Sequence, residues 1–296
     1  MNITLKQLSV FMAIAQEKTL TAAADKLFLS KPAVSMALAE LEKQLGHKLF
    51  ERKNNRLLMN EMGQTLLPLA DEQIERNQAI KSLFDSQHFQ GQIRIGSSNT
   101  VGNHLLPLLL AEFRTLKQHH EQIMSIDNST SIGEKLKDYE LDLALVEGLL
   151  VDKNLHTETW IKDEMVVVAN PGHPLMQKTQ ITLADLQGQP WILREKGSGT
   201  RDFFIHHIGR HLNDLNITFE LNTTEAIINC SAAGLGLSCM SRTAARHALL
   251  DNRLATLPLN IDMSRDLYLV WHQDKYQSPI LKEFIHYCQQ WSLPTH

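Results

Sequence analysis

The sequence predicts an α/β protein with a small, mostly helical unit at its N-terminus and a larger body of two doubly wound α/β lobes. Two patterns predict this division. Residues 21–56 are typical of two short helices joined by a tight turn, then a longer helix and a basic hairpin, whereas beyond residue 91 apolar strands alternate with helices. Continuous apolar strands separated by helices are typical of sheets covered on both faces. A chain of 296 residues can hold both parts, each with its own core.

The N-terminal pattern is TAAADKLFLSKPAVSMALAELEKQLGHKLFERKNNR, residues 21–56. Ser30 is a favourable N-cap, and Pro32 suits the first turn of a helix, where its missing N–H costs little. Gly46 suits the C-terminal cap of that helix. Between the caps, apolar residues recur at helical spacing, namely Val34, Leu38, Leu41 and Leu45. We interpret the stretch as a helix-turn-helix with a basic wing, a unit that places its second helix in the DNA major groove.

The outward face of this unit supplies the candidate DNA contacts. Lys31 and Ser35 can hydrogen-bond to base edges, whereas Pro32 and Met36 can contact thymine methyl groups. Ser30 can donate to a phosphate as well as cap the helix. Basic residues of the hairpin are expected to contact phosphates, which adds affinity and salt dependence without sequence choice, and these are Arg52, Lys53 and Arg56. The alternative for the hairpin is an ordinary solvated turn.

Charge is distributed unevenly along the chain. Residues 1–60 contain nine Lys and Arg residues against five Asp and Glu residues, a net charge of +4. Because the whole chain carries −4, the other 236 residues carry −8. A basic head on an acidic body is typical of a protein that docks one end on phosphate.

We expect four segments: a DNA-binding head (1–60), a linker helix (61–90), lobe I (91–163 plus 267–296) and lobe II (164–266). The linker sequence has two apolar stripes. The first stripe contains Leu67, Ala70, Ile74 and Phe84 and is interrupted by the polar residues Asn77 and Lys81. The second stripe contains Leu66, Leu69, Ile80 and Leu83. Two stripes favour pairing with a second copy of the chain in a coiled-coil-like dimer, and Pro68 is expected to bend the helix. The alternative is a helix that packs on its own domain.

The body sequence predicts strands at 93–96, 123–127, 141–147, 165–170, 191–193, 217–221, 235–240 and 267–272. Helices are predicted at 103–115, 132–139, 200–212 and 224–233. These strands are too numerous for one small sheet, so we predict two mostly parallel α/β lobes. The chain is expected to cross between them near residues 161–164 and to return near 265–269.

Donor-rich turns follow two of the predicted strands. The first turn contains Ser98, Asn99 and Thr100, and the second contains Ser198, Gly199 and Thr200. Open α/β sheets bind ligands at the carboxyl ends of their strands, and a helix N-terminus favours anions. The turns therefore predict a cleft for a small oxyanion or carboxylate. The second turn, GSGT, lacks both the residue spacing and the lysine of a Walker phosphate-binding loop, so the sequence does not favour nucleotide binding.

Three further residues are candidates for the same cleft. Glu147 ends a predicted strand, and its carboxylate would repel an anion unless it pairs with Arg194 or Arg201, or the ligand carries a proton or an amine. The alternative is that Glu147 ties the hinge through hydrogen bonds. Asn222 and Thr224 follow another strand and either complete the cleft wall or cap the next helix.

Other classes of protein are less well supported. The sequence shows no nucleophile–base set, and its histidine pairs lack metal-ligand spacing, so we expect no enzyme activity, no cofactor and no metal site. A transport solute-binding protein would carry an export signal and no helix-turn-helix. The first residues lack the features of a signal peptide, and no apolar run in the sequence is long enough to span a membrane. The three cysteines show no CxxC spacing and cannot all pair, which is typical of reduced thiols in the cytoplasm.

The chain resembles the LysR-type transcriptional regulators along essentially its full length. The residues that carry the resemblance are LKQLSVFMAIAQEKTLTAAADKL, LSKPAVSMALAELEKQLGHKLFER, IRIGSSNTVGNHLLP, MVVVANPGHPL and AAGLGLSCMS. The resemblance implies a periplasmic-binding-protein-like effector body with a ligand cleft, assembly as a homodimer or homotetramer, and action on RNA polymerase at a double-stranded DNA operator.

Two departures from the family pattern affect these expectations. Many members carry Arg or Gln where this sequence has Met36 and Ala37, so DNA shape is expected to contribute more to operator choice. Peroxide-sensing members place a cysteine pair beside the segment that matches 196–201, which this chain lacks. Cys230 and Cys239 are interpreted as core thiols.

Overall fold

Three helices and a two-stranded hairpin form the head in the computed structural model, which describes residues 2–82 and 91–293. The elements are α1 (Leu5–Glu17), α2 (Leu20–Lys26), α3 (Lys31–Leu45), β1 (Phe50–Lys53) and β2 (Arg56–Met59). Ser30 caps α3 by accepting a hydrogen bond from the Ala33 amide at 3.3 Å, and Gly46 ends it with a left-handed φ of 74°. The predicted caps are therefore confirmed.

The linker helix α4 is described over Glu61–Ser82 and contains Pro68. Leu67 and Ala70 are buried against the apolar core of the head, so this stripe packs on its own chain. Leu69 and Ile80 belong to the other stripe and are each 57% exposed. Leu66 of that second stripe is half-buried against the head core, so the packing alternative holds for the first stripe and for Leu66 of the second. The predicted stripe members Leu83 and Phe84 lie outside the described residues.

Lobe I has a five-stranded sheet in the order β6–β11–β5–β3–β4. Its strands are β3 (Ile93–Ser98), β4 (Gln122–Asp127), β5 (Leu143–Val146), β6 (Leu155–Ala169) and β11 (Ser264–His272). The helices α5 (Leu106–Lys117), α6 (Ser129–Lys137) and α10 (Pro279–Gln290) cover it, and a π-helical turn, Val101–Leu105, precedes α5. β3 pairs in parallel with β4 and β5, whereas β11 runs antiparallel to β5 and β6.

Lobe II contains β7 (Pro190–Arg194), β8 (Asn216–Leu221), β9 (Ser238–Ser241) and β10 (Ala255–Thr256). Its α-helices are α7 (Gly199–His207), α8 (Thr224–Ala232) and α9 (Arg242–Leu250), and 3-10 turns lie at Pro174–Gln177, Leu183–Leu186 and Gly209–His211. β7 and β8 are parallel, and β9 and β10 run antiparallel to the second half of β6. The α/β fold class is confirmed. The expectation of mostly parallel lobes is wrong, because four of the seven strand pairings described in the body are antiparallel, each of them made by one of the two strands that cross between the lobes, β6 and β11.

The long strand β6 differs from the prediction. The sequence predicted a strand from residue 165 only, but β6 begins at Leu155 and runs through both lobes, and β10 was not predicted. The first half of β6 mixes polar and apolar residues because it is only partly buried, so it lacks the continuous apolar run of the predicted strands. Within the described residues, no helix has the length and apolar character needed to cross a membrane.

Candidate DNA-binding surface and interlobe site

The exposed side of α3 forms the first part of a candidate DNA-binding surface. Val34, Leu38 and Leu41 are buried against the head core, which turns the other side of the helix to solvent. The predicted DNA-contact residues Lys31, Pro32, Ser35 and Met36 are all exposed, and Met36 is 72% exposed. This arrangement leaves the N-terminal half of α3 free to enter a groove.

The wing forms the second part of this surface. Asn54 and Asn55 turn the hairpin with φ of 49° and 60°, the left-handed backbone that was predicted. Arg52, Lys53 and Arg56 are exposed, and in the described part of the chain none of them has an ion-pair partner. An open groove between wing and α3 is lined by Thr19, Leu20, Thr21, Lys31, Arg52, Asn54, Asn55, Arg56 and Leu57. The polar residues Thr19 and Thr21 were missed because they lie in another part of the head, brought to the wing only by folding.

A buried group of five residues joins the two lobes, and we call it the interlobe cluster: Thr100, Glu147, Asp163, Thr200 and Arg265. The Thr100 amide donates to Glu147 Oε1 at 2.6 Å, and the Thr200 hydroxyl donates to Oε2 at 2.7 Å. Arg265 Nη1 lies 3.2 Å from Glu147 Oε2, and its Nε donates to Asp163 at 2.8 Å. Residues of lobe I, lobe II and both crossing strands are therefore joined through Glu147 and Arg265.

Arg265 lies between the two carboxylates of this cluster, so the five residues together carry a net charge of −1. Burial by itself raises the pKa of Glu147, but Arg265 and the hydrogen bonds from Thr100 and Thr200 outweigh it and lower that pKa to about 2. Burial lowers the pKa of Arg265, and the carboxylates of Glu147 and Asp163 reverse the direction, so that it lies above its usual value. Glu147 is therefore ionised and held by a cation.

The donor-rich turn of lobe II touches lobe I directly. A Cβ atom added to Gly199 would lie 2.8 Å from the Gly148 amide nitrogen and 3.0 Å from the Glu147 carbonyl carbon. The Thr130 amide donates to the Gly197 carbonyl at 3.2 Å, so the N-terminus of α6 also contacts lobe II. The lobes are closed on each other at this point, and only a glycine allows the approach at position 199.

Two hydroxyl groups near this contact have no hydrogen-bond partner among the described residues. Ser98 Oγ at the end of β3 and Ser129 Oγ at the start of α6 are both buried. Ser129 Oγ lies 3.8 Å from where a Cβ of Gly148 would be. Buried hydroxyls are usually hydrogen-bonded, and a pair without partners at a cleft indicates a place for a polar ligand or water.

The structure corrects several expectations for the cleft. Glu147 pairs with Arg265; the expected partner Arg194 bonds Glu195, and Arg201 bonds Glu220. The hinge-tying alternative for Glu147 therefore holds. The prediction that Asn222 or Thr224 caps α8 is wrong, because the Thr223 side chain accepts from the Ala226 amide at 3.4 Å.

The predicted cleft residues are not all equally buried. Ser98, Thr100, Glu147, Ser198, Gly199 and Thr200 are buried at the interlobe contact, whereas Asn99 is half-buried and Asn222 is exposed. Ser129 and Arg265 were missed, because nothing in their local sequence marks them as part of the cleft. Cys239 is a buried thiol, and burial raises its pKa to about 12, in keeping with its interpretation as a core residue.

A helix-turn-helix head joined by a long helix to a two-lobed α/β body with an interlobe site defines a class of regulators. The sequence matches the lysR family of bacterial regulatory helix-turn-helix proteins over residues 5–64 and the LysR substrate binding domain over residues 86–292. The chain belongs to the LysR family of DNA-binding transcriptional regulators. Its matched relatives are transcriptional regulators and not enzymes.

Several individual relatives cover nearly the whole chain. An uncharacterized HTH-type transcriptional regulator of Escherichia coli K12, YeiE, is 36% identical over 99% of this chain and 100% of its own length. The transcriptional regulator CysL of Bacillus subtilis is 29% identical over 93% of this chain and 98% of its own. A full-length OxyR of Pseudomonas aeruginosa superposes with a TM-score of 0.75 at 20% identity, covering 98% of this chain and 96% of that one, which shows the fold.

One structural relative was solved with a ligand. The regulatory domain of CcmR from Synechocystis PCC6803, in complex with 2-PG, has a TM-score of 0.62 and is 28% identical, covering 68% of this chain and 96% of that domain. Because residues 86–292 match the LysR substrate binding domain, the body of the present chain belongs to the effector-binding domains of this family.

Proposed function

We propose that this regulator binds a small oxyanion or carboxylate between its two effector lobes, and that the ligand changes how the heads bind or bend their operator. The observation that carries the proposal is a pair of buried hydroxyls without partners among the described residues. Ser129 lies beside the contact between Gly148 and Gly199 of the two lobes, and Ser98 ends the strand β3, two residues before Thr100 of the interlobe cluster. A small ligand held there would touch lobe I and lobe II together and would stabilise their closed arrangement.

The helix ends at the site support an anion. Arg265 pairs with both Glu147 and Asp163, so the interlobe cluster keeps a net charge of −1 and the attraction must come from the backbone N–H groups. The helices α6 and α7 begin at Ser129 and Gly199, so two helix N-termini meet at the same contact and favour negative charge. The CcmR domain solved with 2-PG supports a small-molecule site in this body.

A thermal-shift screen of sulfate, sulfite, thiosulfate and amino-acid precursors tests the ligand class. An anion at about one hundred times its Kd is expected to add about 2.7 kcal/mol to the free energy of unfolding. Replacing both Ser98 and Ser129 by alanine is expected to remove that shift. Ser231→Ala is the matched control, because its hydroxyl is also buried without a partner among the described residues but lies in α8. A shift that survives the double substitution contradicts the site.

For the DNA surface, we propose that Lys31, Pro32, Ser35 and Met36 lie in the major groove while Ser30, Arg52, Lys53 and Arg56 contact phosphates. The support is their common exposure on one side of the head and the absence of ion-pair partners for the wing cations within residues 2–82 and 91–293. The basic residues would then supply affinity, and α3 would supply sequence choice.

Arg52→Ala is expected to weaken binding to operator and unrelated DNA by similar factors and to reduce the slope of log K against log salt by about one. Electrophoretic mobility shifts at several salt concentrations measure this. Lys6→Ala, an exposed cation of α1 outside the groove, is the control. Loss confined to the operator would contradict a phosphate contact.

We also propose a homodimer or homotetramer in the cytoplasm that acts on RNA polymerase. Exposed apolar residues support assembly: Leu69 and Ile80 on α4, and Ile123, Met124 and Ile126 on the edge strand β4. An apolar groove of about 540 Å³ between α1 and α4 extends the first of these surfaces. Light scattering of the full chain tests assembly, and a monomer at micromolar concentration contradicts it.

A further inference from the structure

Glu42, in the last turn of α3, is a buried carboxylate of the head and not part of its exposed DNA-binding surface. Its side chain is 8% exposed, whereas the exposed residues that face DNA lie in the first half of the same helix. Glu42 Oε1 accepts a hydrogen bond from the Leu49 amide at 2.9 Å, and Oε2 lies 2.7 Å from Lys48 Nζ. Leu49 directly precedes β1, the first strand of the wing. The carboxylate therefore joins α3 to the base of the wing.

Asn60 holds the base of the wing from the other side. Its side-chain nitrogen donates to the Lys48 carbonyl at 2.9 Å, and its backbone N–H donates to the Leu49 carbonyl at 3.1 Å. The Asn60 side-chain oxygen also accepts from the Gly63 amide at 3.0 Å, so it caps the start of α4. Leu49 is thus held through its N–H by Glu42 and through its carbonyl by Asn60.

The second strand of the wing is fixed differently. The Leu57 amide of β2 donates to the Lys18 carbonyl after α1 at 2.8 Å. This bond joins two backbone groups, so it does not depend on a particular side chain. Leu49 and Phe50 are buried in the apolar core of the head. The core and this bond hold the wing on the head, whereas the bond from Glu42 sets β1 against α3.

We propose that Glu42 is a positioning residue for DNA binding, which sets the wing at the distance and angle from α3 at which both meet one duplex. Arg52 lies three residues beyond Leu49, roughly 10 Å along an extended strand. A tilt of about 10° at Leu49 would therefore move Arg52 by roughly 2 Å, which is more than a hydrogen bond to phosphate tolerates. The inference rests on the proposed function, in which the wing cations contact phosphates.

Charge alone makes the opposite prediction for this residue. A carboxylate in a DNA-binding head repels phosphate, so removing its charge should tighten binding. A positioning role depends instead on a hydrogen-bond acceptor at the right reach from α3. Glu42→Gln removes the charge but keeps an acceptor for the Leu49 amide, whereas Glu42→Asp keeps the charge but shortens the side chain. The two substitutions therefore separate the effect of position from the effect of charge.

Binding of the full chain to fluorescently labelled duplex DNA of mixed sequence, measured by anisotropy at several salt concentrations, tests the proposal. Glu42→Asp is expected to weaken binding at least about ten-fold and to lower the slope of log K against log salt by about two, because the wing cations shift together. Glu42→Gln should stay within about three-fold of the unsubstituted protein and keep its slope. Glu42→Asp combined with Arg52→Ala should weaken binding by less than the product of the two single effects, since both act through the wing.

Glu40→Asp and Glu40→Gln are the matched controls, because Glu40 lies on the exposed side of the same helix and bonds the Gln44 side chain at 3.3 Å. Glu40→Asp should leave affinity and slope unchanged, and Glu40→Gln should tighten binding by about two-fold or less. Circular dichroism gives the folded fraction at the assay temperature, to which each affinity is referred. If Glu42→Asp binds DNA as the unsubstituted protein does, or lowers Tm without changing the affinity of the folded chain, the proposal is wrong.

Arg52→Ala in the same assay separates this proposal from the function on which it rests. An unchanged salt slope for Arg52→Ala would overturn the phosphate role of the wing, and the positioning role with it. A slope that is lowered by Arg52→Ala but not by Glu42→Asp would overturn the positioning role alone.

Asn60→Ser provides a second release of the same turn if Glu42→Asp lowers stability too far to be measured. Serine can still cap α4, but its shorter side chain gives up the bond to the Lys48 carbonyl. The salt slope should again fall, because the base of the wing loses one of its two holds. An unchanged slope in that variant contradicts the proposal.

Discussion

Replacing Arg265 by methionine is expected to lower the free energy of unfolding of the effector body by about 3–5 kcal/mol, because Glu147 and Asp163 would remain buried without a cation. For a body of this size, that loss lowers Tm by roughly 6–20 °C. The side chain is buried and holds both carboxylates from the strand by which the chain returns to lobe I. Differential scanning calorimetry of the full chain measures the change.

Arg242→Met is the matched control. Arg242 forms an ion pair of similar length with Glu164, 2.7 Å, but both side chains are about half exposed. Exposed pairs contribute about 1 kcal/mol or less, so this variant should stay close to the unsubstituted protein. Equal losses of unfolding free energy for Arg265→Met and Arg242→Met would show that burial of the interlobe cluster does not increase its contribution to stability.

The pH dependence of the same variant has a definite sign. The pKa of Glu147 is lowered from 4.5 to about 2, so the folded state favours the charged form. The stability it confers is complete above the unfolded pKa and is lost as pH falls from 4.5 towards 2. The deficit of Arg265→Met relative to the unsubstituted protein should therefore shrink over that interval. A deficit that grows on acidification would contradict the ion-pair account.

Gly199→Ala is expected to abolish the ligand response while leaving the protein folded. The new Cβ would meet backbone atoms of Glu147 and Gly148 at 2.8–3.0 Å, and backbone cannot move aside as a side chain can. The φ angle of Gly199 lies outside the left-handed region, so alanine itself fits α7 and only the contact with lobe I is lost. The lobes must separate, and affinity for the anion found in the screen should fall by at least about ten-fold.

Isothermal titration with that anion measures the affinity, and circular dichroism checks the fold. Gly172→Ala is the control, since its added Cβ would approach only the Asn170 side chain at 3.2 Å on the surface. Unchanged anion affinity in Gly199→Ala would show that the close contact between the lobes plays no part in binding.

Much of the fold could be predicted because the relevant signals are local. The Ser30 cap, the Gly46 terminus and the Asn54–Asn55 turn depend on residues within four positions of one another. The buried strand β5 is a short apolar run, LALV, which is typical of a strand covered on both faces. The first half of β6 was missed because a strand with one solvated face has no such run.

The site was predictable only in part for the same reason. The strand-end turns predicted that Thr100 and Thr200 lie together, since the sheet architecture places strand ends side by side, and both bond Glu147. The pattern of strand ends did not identify the partner of Glu147. Arg194 and Arg201 were expected, but the arginine that pairs is Arg265, which is 118 residues away along the chain. Ser129 carries no local pattern, and only the packing of α6 against lobe II reveals it.

The sequence by itself therefore determined a capped helix-turn-helix with a basic wing, a linker helix and an α/β effector body, which together identify the family. Only the tertiary structure decided which charges meet. Asp71 and Lys275 are 204 residues apart, yet their pairing seats the head on lobe I. Helical and strand periodicity is set by neighbours along the chain, whereas a buried ion pair is set by where the folded backbone brings two distant side chains together.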